Sequence, residues 1–446
     1  MRQHEVRKIA RKKMKTIEIS PGTLQGSLEI PPSKSVSHRA IISAGLAKGQ
    51  SVISNVLMSQ DMIATCKAME ALGANIAYRE EGNHRYCLTI QGCDPLKLRT
   101  ETIDCNESGS TLRFIIPLTL LQPERVVITG QGRLVSRPMA PYYQIFREKA
   151  IAFKHLTAGQ DLPLALEGEL QPGVYQIDGG ISSQFITGLL FALPLLPGDS
   201  VIELTSPLES KPYLDITLDV LKSFGIEIVN EADQRLFIKG NQAYSPCDYR
   251  VEGDFSQGAF WLVAGTIGTA IKCRDLNPDS RQGDKVIVDI IRAMGGNIQA
   301  DVETLTANHA QTRGVTIDVS QCPDLVPVLG VLASLSCGTT TIINGERLRY
   351  KESDRLMATA DVLNALGGNA TETPDGLIIQ GVANFTGGNV TSHNDHRIAM
   401  AVAVASICAK GKIRLAGAEA VNKSYPHFWE DFERLGGEVR GIDLGK

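Results

Sequence analysis

Met294-Gly295-Gly296-Asn297-Ile298 and Leu366-Gly367-Gly368-Asn369-Ala370 are nearly one phrase written twice. In each, a segment of helical pattern closes on Gly and the chain turns straight into a short strand. Gly is the expected residue just past a helix end, because it enters the left-handed conformation without a steric penalty. Further copies stand at Ala71-Leu72-Gly73-Ala74-Asn75-Ile76, Phe224-Gly225-Ile226-Glu227-Ile228 and Leu435-Gly436-Gly437-Glu438-Val439. Successive closing glycines, from Gly73 to Gly436, are separated by 152, 70, 72 and 69 residues, so the first interval spans about two periods. This predicts a degenerate copy near Lys149, where residues 144–156 have a helical pattern but no closing Gly pair.

The chain therefore reads as six copies of about 70 residues, each mixing helix and strand. Such a unit is too long for a common solenoid repeat, and two pseudo-symmetric domains of three copies fit better. Strand-like segments at residues 52–55, 125–129, 201–205, 339–344 and 412–416 follow Gly or Pro punctuation. No long Pro/Ser-rich linker divides the halves. The candidate crossovers are Pro31-Pro32-Ser33-Lys34 and Val251-Glu252-Gly253-Asp254. Their placement predicts a discontinuous domain of residues 1–33 with 254–446, and a second domain of residues 34–253.

Composition narrows the function classes. A chain of 446 residues suggests two to three domains at roughly 150 residues each. Apolar content of 43% and charged content of 21% are those of a soluble globular protein. A net charge of −4 argues against a general nucleic-acid or membrane-surface binder. The nine cysteines are scattered, without C-x-x-C spacing, which fits reduced thiols in a cytoplasmic protein better than a disulfide framework or structural zinc. The longest apolar run, residues 398–409 with one Ser, is far short of the ~20 residues of a membrane helix. The basic start (Arg7, Lys8, Arg11, Lys12, Lys13, Lys15) precedes no apolar h-region, so it reads as a solvated extension rather than a secretory signal.

Several segments gather cations and hydroxyls beside turn residues. Pro32-Ser33-Lys34-Ser35-Val36-Ser37-His38-Arg39 leads into the apolar residues 40–47 and marks a helix N-terminus, where free N–H groups and the dipole attract anions. Plain capping gives the same pattern, and the spacing is not that of a Walker motif. Asn106-Glu107-Ser108-Gly109-Ser110-Thr111-Leu112-Arg113 sets small hydroxyl residues around a Gly. Arg133 and Arg137 stand near Pro138, Ser182-Ser183-Gln184 follows Gly179-Gly180, and Ser210-Lys211-Pro212-Tyr213 follows Glu209. Lys351-Glu352-Ser353-Asp354-Arg355 spaces two cations one turn apart, which is also the spacing of an ordinary solvated helix face. His393-Asn394-Asp395-His396-Arg397 precedes the long apolar run; its two histidines lack a third metal ligand of matching chemistry nearby, so no metal is expected. Together these segments and Lys423 supply eight cations: Lys34, Arg39, Arg113, Arg137, Lys351, Arg355, Arg397 and Lys423. A ligand pair with two phosphates and two carboxylates would need that many.

Pro-Ser-Lys-Ser-Val-Ser-His-Arg, Glu-Ser-Gly-Ser-Thr-Leu-Arg-Phe, Arg-Pro-Met, Ser-Ser-Gln-Phe, Ser-Lys-Pro-Tyr, Lys-Glu-Ser-Asp-Arg and Asn-Asp-His-Arg occur in that order. This collinear series resembles the 5-enolpyruvylshikimate-3-phosphate synthase family (3-phosphoshikimate 1-carboxyvinyltransferases) from about Ile17 onward. The resemblance implies an α/β (α+β) fold: a two-domain inside-out α/β barrel of βαβαββ units, three per domain, closing over a cleft at a two-strand hinge. It implies a monomer whose partners are two small molecules, phosphoenolpyruvate and shikimate 3-phosphate, with no metal or organic cofactor. The 5-hydroxyl of shikimate 3-phosphate attacks C2 of phosphoenolpyruvate while its methylene is protonated, and the tetrahedral intermediate then loses phosphate.

Carried over by motif, Lys34, Ser35, Arg39, Ser182, Ser183, Gln184, Ser210, Tyr213, Asp324 and Lys351 would bind shikimate 3-phosphate. Lys34, Gly109, Arg137, Gln184, Arg355, Arg397 and Lys423 would bind phosphoenolpyruvate. Asp324 is the candidate base, and Glu352 and Lys34 the candidates for proton traffic at the methylene and leaving phosphate. Arg forks suit carboxylates and phosphates, and a carboxylate among cations accepts a proton only where a closed cleft dehydrates it. Two positions depart from the family pattern: Glu107 and Arg347 stand where some members have Asn. The nearest rival, the enolpyruvyl transferase acting on UDP-N-acetylglucosamine, carries a proton-donating Cys in the loop matching residues 131–138, which here has none. A non-catalytic anion-binding protein would have lost site cations or Asp324, and all are present.

Overall fold

The computed structural model describes residues 16–93 and 96–441; the basic segment ending at Lys15 lies outside them. The strands form six four-stranded sheets among the described residues. One sheet shows the pattern of all. Thr102–Asp104 runs parallel to Val126–Thr129, with Ile103 opposite Ile128. Val126–Thr129 is antiparallel to Leu164–Glu167, which pairs in turn with Ala152–His155. The helices Gly109–Thr119 and Ala140–Glu148 follow the first two strands, so the unit reads βαβαββ.

Contacts divide the chain into two units. The first runs from Lys34 to Val251, and the second joins the residues up to Ser33 to those from Glu252 onward. Each unit takes a strand from one side of a crossover and a helix from the other. Gly26–Glu29 pairs with Ile271–Arg274 in the second unit but leads into the helix Lys34–Leu46 of the first. Tyr249–Arg250 pairs with Gln50–Val56 in the first and leads into Phe255–Ile267 of the second. Glu252 and Gly253 lie with the second unit, two residues earlier than the crossover reading. Ser33 N donates to Glu252 O at 2.7 Å, and Pro32 bridges Gly253.

Helices of two kinds build each unit. Lys34–Leu46, Gly109–Thr119 and Ser183–Ala192 in the first unit are buried almost all round. Phe255–Ile267, Val326–Ser334 and His396–Ala405 play the same part in the second. A helix apolar on every face has to lie inside; of the run at residues 398–409, the part up to Ala405 is such a helix, and residues 406–408 follow as a 3-10 turn. The other helices are one-sided. Lys211–Ser223, for example, buries Leu214, Thr217, Val220 and Leu221 at three- and four-residue spacing. No helix among the described residues is long and apolar enough to cross a membrane.

The repeat closes as its glycines require. Gly73, Gly225, Gly295, Gly367 and Gly436 all take positive φ, between 79° and 115°. The degenerate sixth copy is present. The helix Ala140–Glu148 ends with Lys149 as its cap, and Ala150 takes the left-handed turn at φ 55°. Ala there carries the steric penalty its five glycine counterparts avoid, about 1–2 kcal/mol.

Candidate active site

In the first unit the candidate residues cluster at helix starts. Lys34 opens the helix Lys34–Leu46, and its Nζ lies 3.0 Å from Asp61 Oδ2. One turn on, Arg39 donates from Nη1 to Ser35 O at 2.8 Å, from Nε to Thr217 Oγ1 at 2.8 Å and from Nη2 to Tyr213 O at 3.1 Å. Arg39 thus ties Ser35 to the start of Lys211–Ser223, where Ser210 is the cap, at φ 56°. Its guanidinium also sits 5.1 Å from the Phe114 ring centre.

Ser182 caps Ser183–Ala192, accepting the Gln184 amide at 3.3 Å. The Gln184 side chain accepts from Arg113 Nη1 at 2.5 Å and donates to Ser110 Oγ at 3.0 Å. Gly109 begins the neighbouring helix behind its cap Ser108. A Cβ on Gly109 would lie 2.4 Å from Arg137 Nη1, so the bare backbone is what lets that guanidinium approach.

In the second unit one carboxylate collects three cations. Asp324 Oδ1 accepts from Arg355 Nη1 at 2.7 Å and lies 3.5 Å from Lys351 Nζ; its Oδ2 accepts from Arg397 Nη2 at 3.0 Å. Arg355, 1% exposed, also reaches Glu352 Oε2 at 2.7 Å and Asp395 Oδ2 at 2.8 Å. Asp395 is fully buried and caps His396–Ala405, accepting the Arg397 amide at 2.9 Å and the Ser353 hydroxyl at 3.0 Å. Lys423 Nζ donates to Asn394 O at 2.7 Å.

These contacts decide the charges. Burial works against the Arg355 cation, but Asp395, Glu352 and Asp324 outweigh it and raise its pKa. Burial likewise opposes the Asp395 carboxylate, and Arg355 outweighs that, holding it below its usual range. Burial pushes the Lys351 ammonium down to about 8, although Asp324 pulls the other way. Asp284, buried nearby, is pushed up by burial and then by Asp324.

The two units treat their inner helix ends differently. Ser108 and Ser182 cap with neutral hydroxyls in the first, leaving the positive end of each dipole for an external anion. Asp254 and Asp395 cap with carboxylates in the second, and Asp324 stands just before Val326–Ser334. There the protein supplies its own anions, and Asp324 and Asp395 hold arginines in place.

Lys351 and Arg355 do not share a solvated helix face. Lys351 precedes the helix, which begins at Arg355 behind its cap Asp354, and Arg355 turns inward. Glu107 packs its carboxylate against the Gly132 turn, and Arg347 donates to Ser320 O. Asp61, Asp284 and Asp395 were given no role by motif reading. Only Asp395 had a usable signal, as an acidic residue at the N-cap of an apolar helix.

Residues 19–432 match a sequence model of the family described as EPSP synthase (3-phosphoshikimate 1-carboxyvinyltransferase). A 3-phosphoshikimate 1-carboxyvinyltransferase of Clostridium novyi is 50% identical over 437 residues, covering 97% of this chain and all of that one. The enzyme of that name from Clostridium kluyveri is 51% identical over 433 residues, again covering 97% of this chain and all of that one. Among solved structures, an EPSP synthase of Acinetobacter baumannii superposes with a TM-score of 0.77 at 26% identity, covering 95% of this chain and 99% of that chain.

Proposed function

We propose that this chain, which belongs to the EPSP synthase family, the 3-phosphoshikimate 1-carboxyvinyltransferases, runs its reaction with the two residue sets just described. It is a transferase of the shikimate pathway that moves the enolpyruvyl group of phosphoenolpyruvate onto shikimate 3-phosphate, on the way to the aromatic amino acids. The acceptor 5-hydroxyl adds to C2 of phosphoenolpyruvate and loses its proton to a base, while the methylene takes a proton from an acid. Breaking the C2–O bond of the tetrahedral adduct releases phosphate, and a methyl proton leaves to restore the enol ether.

Ser35, Arg39, Ser182, Ser183, Gln184, Ser210, Tyr213 and Lys351 bind shikimate 3-phosphate. Arg137, the Gly109 amide and Gln184 hold phosphoenolpyruvate, as do Arg355, Arg397 and Lys423. Lys34 serves both ligands. Asp324 binds the acceptor and is the base at its 5-hydroxyl; Glu352 and Lys34 carry the proton traffic. The supporting observation is the Asp324 constellation: one carboxylate held by Arg355 and Arg397, with Glu352 on the same guanidinium. A base so held is oriented before substrate arrives. The chain acts as a cytoplasmic monomer, and nine free cysteines support a reducing compartment.

Asp324→Asn tests the assignment. The isosteric amide keeps hydrogen-bonding capacity but cannot take the proton, so turnover falls about 10²–10⁴-fold while calorimetric binding of shikimate 3-phosphate persists. Turnover near the parent rate would remove Asp324 from the role.

A further inference from the structure

Four buried side chains of the first unit stand in single file. His38 Nδ1 lies 2.7 Å from Thr65 Oγ1, Thr65 Oγ1 lies 2.7 Å from Thr111 Oγ1, and the Thr111 hydroxyl donates to Ser108 Oγ at 2.7 Å. None is more than 1% exposed. Counting protons gives the file a direction. A hydroxyl has one proton to donate. Thr111 uses its proton on Ser108, so it accepts from Thr65, and Thr65 in turn accepts from His38. His38 therefore carries its proton on Nδ1.

Nε2 has no hydrogen-bond partner among the described residues. Burial, then Lys34 and Arg39, push the imidazole well below its ordinary pKa and keep it neutral. At the far end Ser108 also accepts the Thr111 amide at 3.2 Å and caps the helix that begins at Gly109, where Arg137 lies. Packing alone does not ask for such a file, since apolar residues of the same shape would fill the space without the demand that buried polar groups be satisfied.

We propose that His38 is a positioning residue for phosphoenolpyruvate: through Thr65 and Thr111 it fixes the Ser108 cap, and with it the Gly109 amide and the Arg137 fork. The inference rests on the reading that Gly109 and Arg137 hold this substrate. It assigns His38, which touches no reacting atom, to the setting of affinity for one substrate alone.

Thr65→Val cuts the file with a nearly isosteric side chain. KM for phosphoenolpyruvate rises roughly ten-fold, the equivalent of one hydrogen bond, while kcat and KM for shikimate 3-phosphate stay within about two-fold. His38→Leu behaves the same way. His38→Asn, whose amide N–H takes the place of Nδ1–H, restores KM for phosphoenolpyruvate. A parallel rise in both KM values, an unchanged KM for phosphoenolpyruvate, or His38→Asn no better than His38→Leu overturns the inference.

Long-range proton–nitrogen NMR of the parent protein, labelled with ¹⁵N-histidine, gives a readout independent of any variant's folding. The neutral Nδ1–H form of His38 is expected, and an Nε2–H or charged form refutes the file's direction. Arg137→Ala separates the two levels. If it leaves KM for phosphoenolpyruvate unchanged, the underlying site reading fails; if it raises KM and Thr65→Val does not, only the role of His38 fails.

Discussion

Replacing Gly109 by Ala adds one methyl where the Arg137 guanidinium lies. The new Cβ would stand 2.4 Å from Nη1, 2.9 Å from Cζ and 3.2 Å from Nη2 of Arg137. Ordinary contact needs ~3.5 Å, so the fork retreats by about 1 Å. The fold has no reason to suffer, because Gly109 is helical and Ala is the better helix former by up to ~1 kcal/mol. The cost therefore falls on whatever Arg137 holds. Losing a charge-assisted, two-pronged contact is worth about 1.5–3 kcal/mol, or roughly a 10- to 150-fold rise in KM for phosphoenolpyruvate.

The assay is initial-rate phosphate release with phosphoenolpyruvate varied at saturating shikimate 3-phosphate, beside a thermal melt. The expected result is a raised KM with the melting temperature unchanged or slightly higher. In the Gly109→Ala/Arg137→Ala double variant the two losses do not add, because both act through one guanidinium. An unchanged KM in a folded Gly109→Ala protein, or full additivity, would refute the reasoning.

Three further outcomes are expected. The Lys351 ammonium is present below about 8 and lost above it, so kcat/KM for shikimate 3-phosphate falls about ten-fold per pH unit beyond that point, and Lys351→Arg extends the plateau; a flat profile to pH 9 in the parent would exclude the role. Ala150→Gly raises the urea midpoint by the equivalent of about 0.5–1 kcal/mol, relieving the left-handed Ala at φ 55°, whereas Gly225→Ala lowers it; a lower midpoint for Ala150→Gly would count against the repeat-closure argument. Asp395→Ala leaves buried Arg355 short of one counter-charge and strips a helix cap, costing about 3–5 kcal/mol in denaturant unfolding, and Asp395→Asn costs less because its amide oxygen still caps; equal losses in the two variants would mean the cap contributes nothing.

Much of the fold was legible because it depends on local rules. Closing glycines announce a left-handed turn wherever they occur, and their spacing counted the units, including the copy where Ala150 stands in for Gly. The run at residues 398–409 has no polar face, and the part of it up to Ala405 is accordingly a buried helix. The site was legible only as a set of segments. That Arg39 would reach Thr217 or that Lys34 would face Asp61 depends on packing between helices far apart in the chain, which no spacing encodes. Lys351 and Arg355 show the opposite failure: a spacing typical of a solvated face conceals a helix start between them, with Arg355 turned into the core. Asp395 caps the helix that follows it, a local feature, but its grip on Arg355 crosses 40 residues. The file from His38 to Ser108 joins three helices and has no sequence signature.

The central claim is that this chain joins phosphoenolpyruvate to shikimate 3-phosphate, with Asp324 as the base. The most direct test follows phosphate release and the enol ether product by ³¹P and proton NMR, for the parent and Asp324→Ala, with shikimate 3-phosphate or UDP-N-acetylglucosamine as acceptor. The account predicts 5-enolpyruvylshikimate 3-phosphate and one phosphate per product from the parent, with shikimate 3-phosphate only, and a collapse of both in the variant. Product from the nucleotide sugar, or an Asp324→Ala variant as fast as the parent, would contradict it.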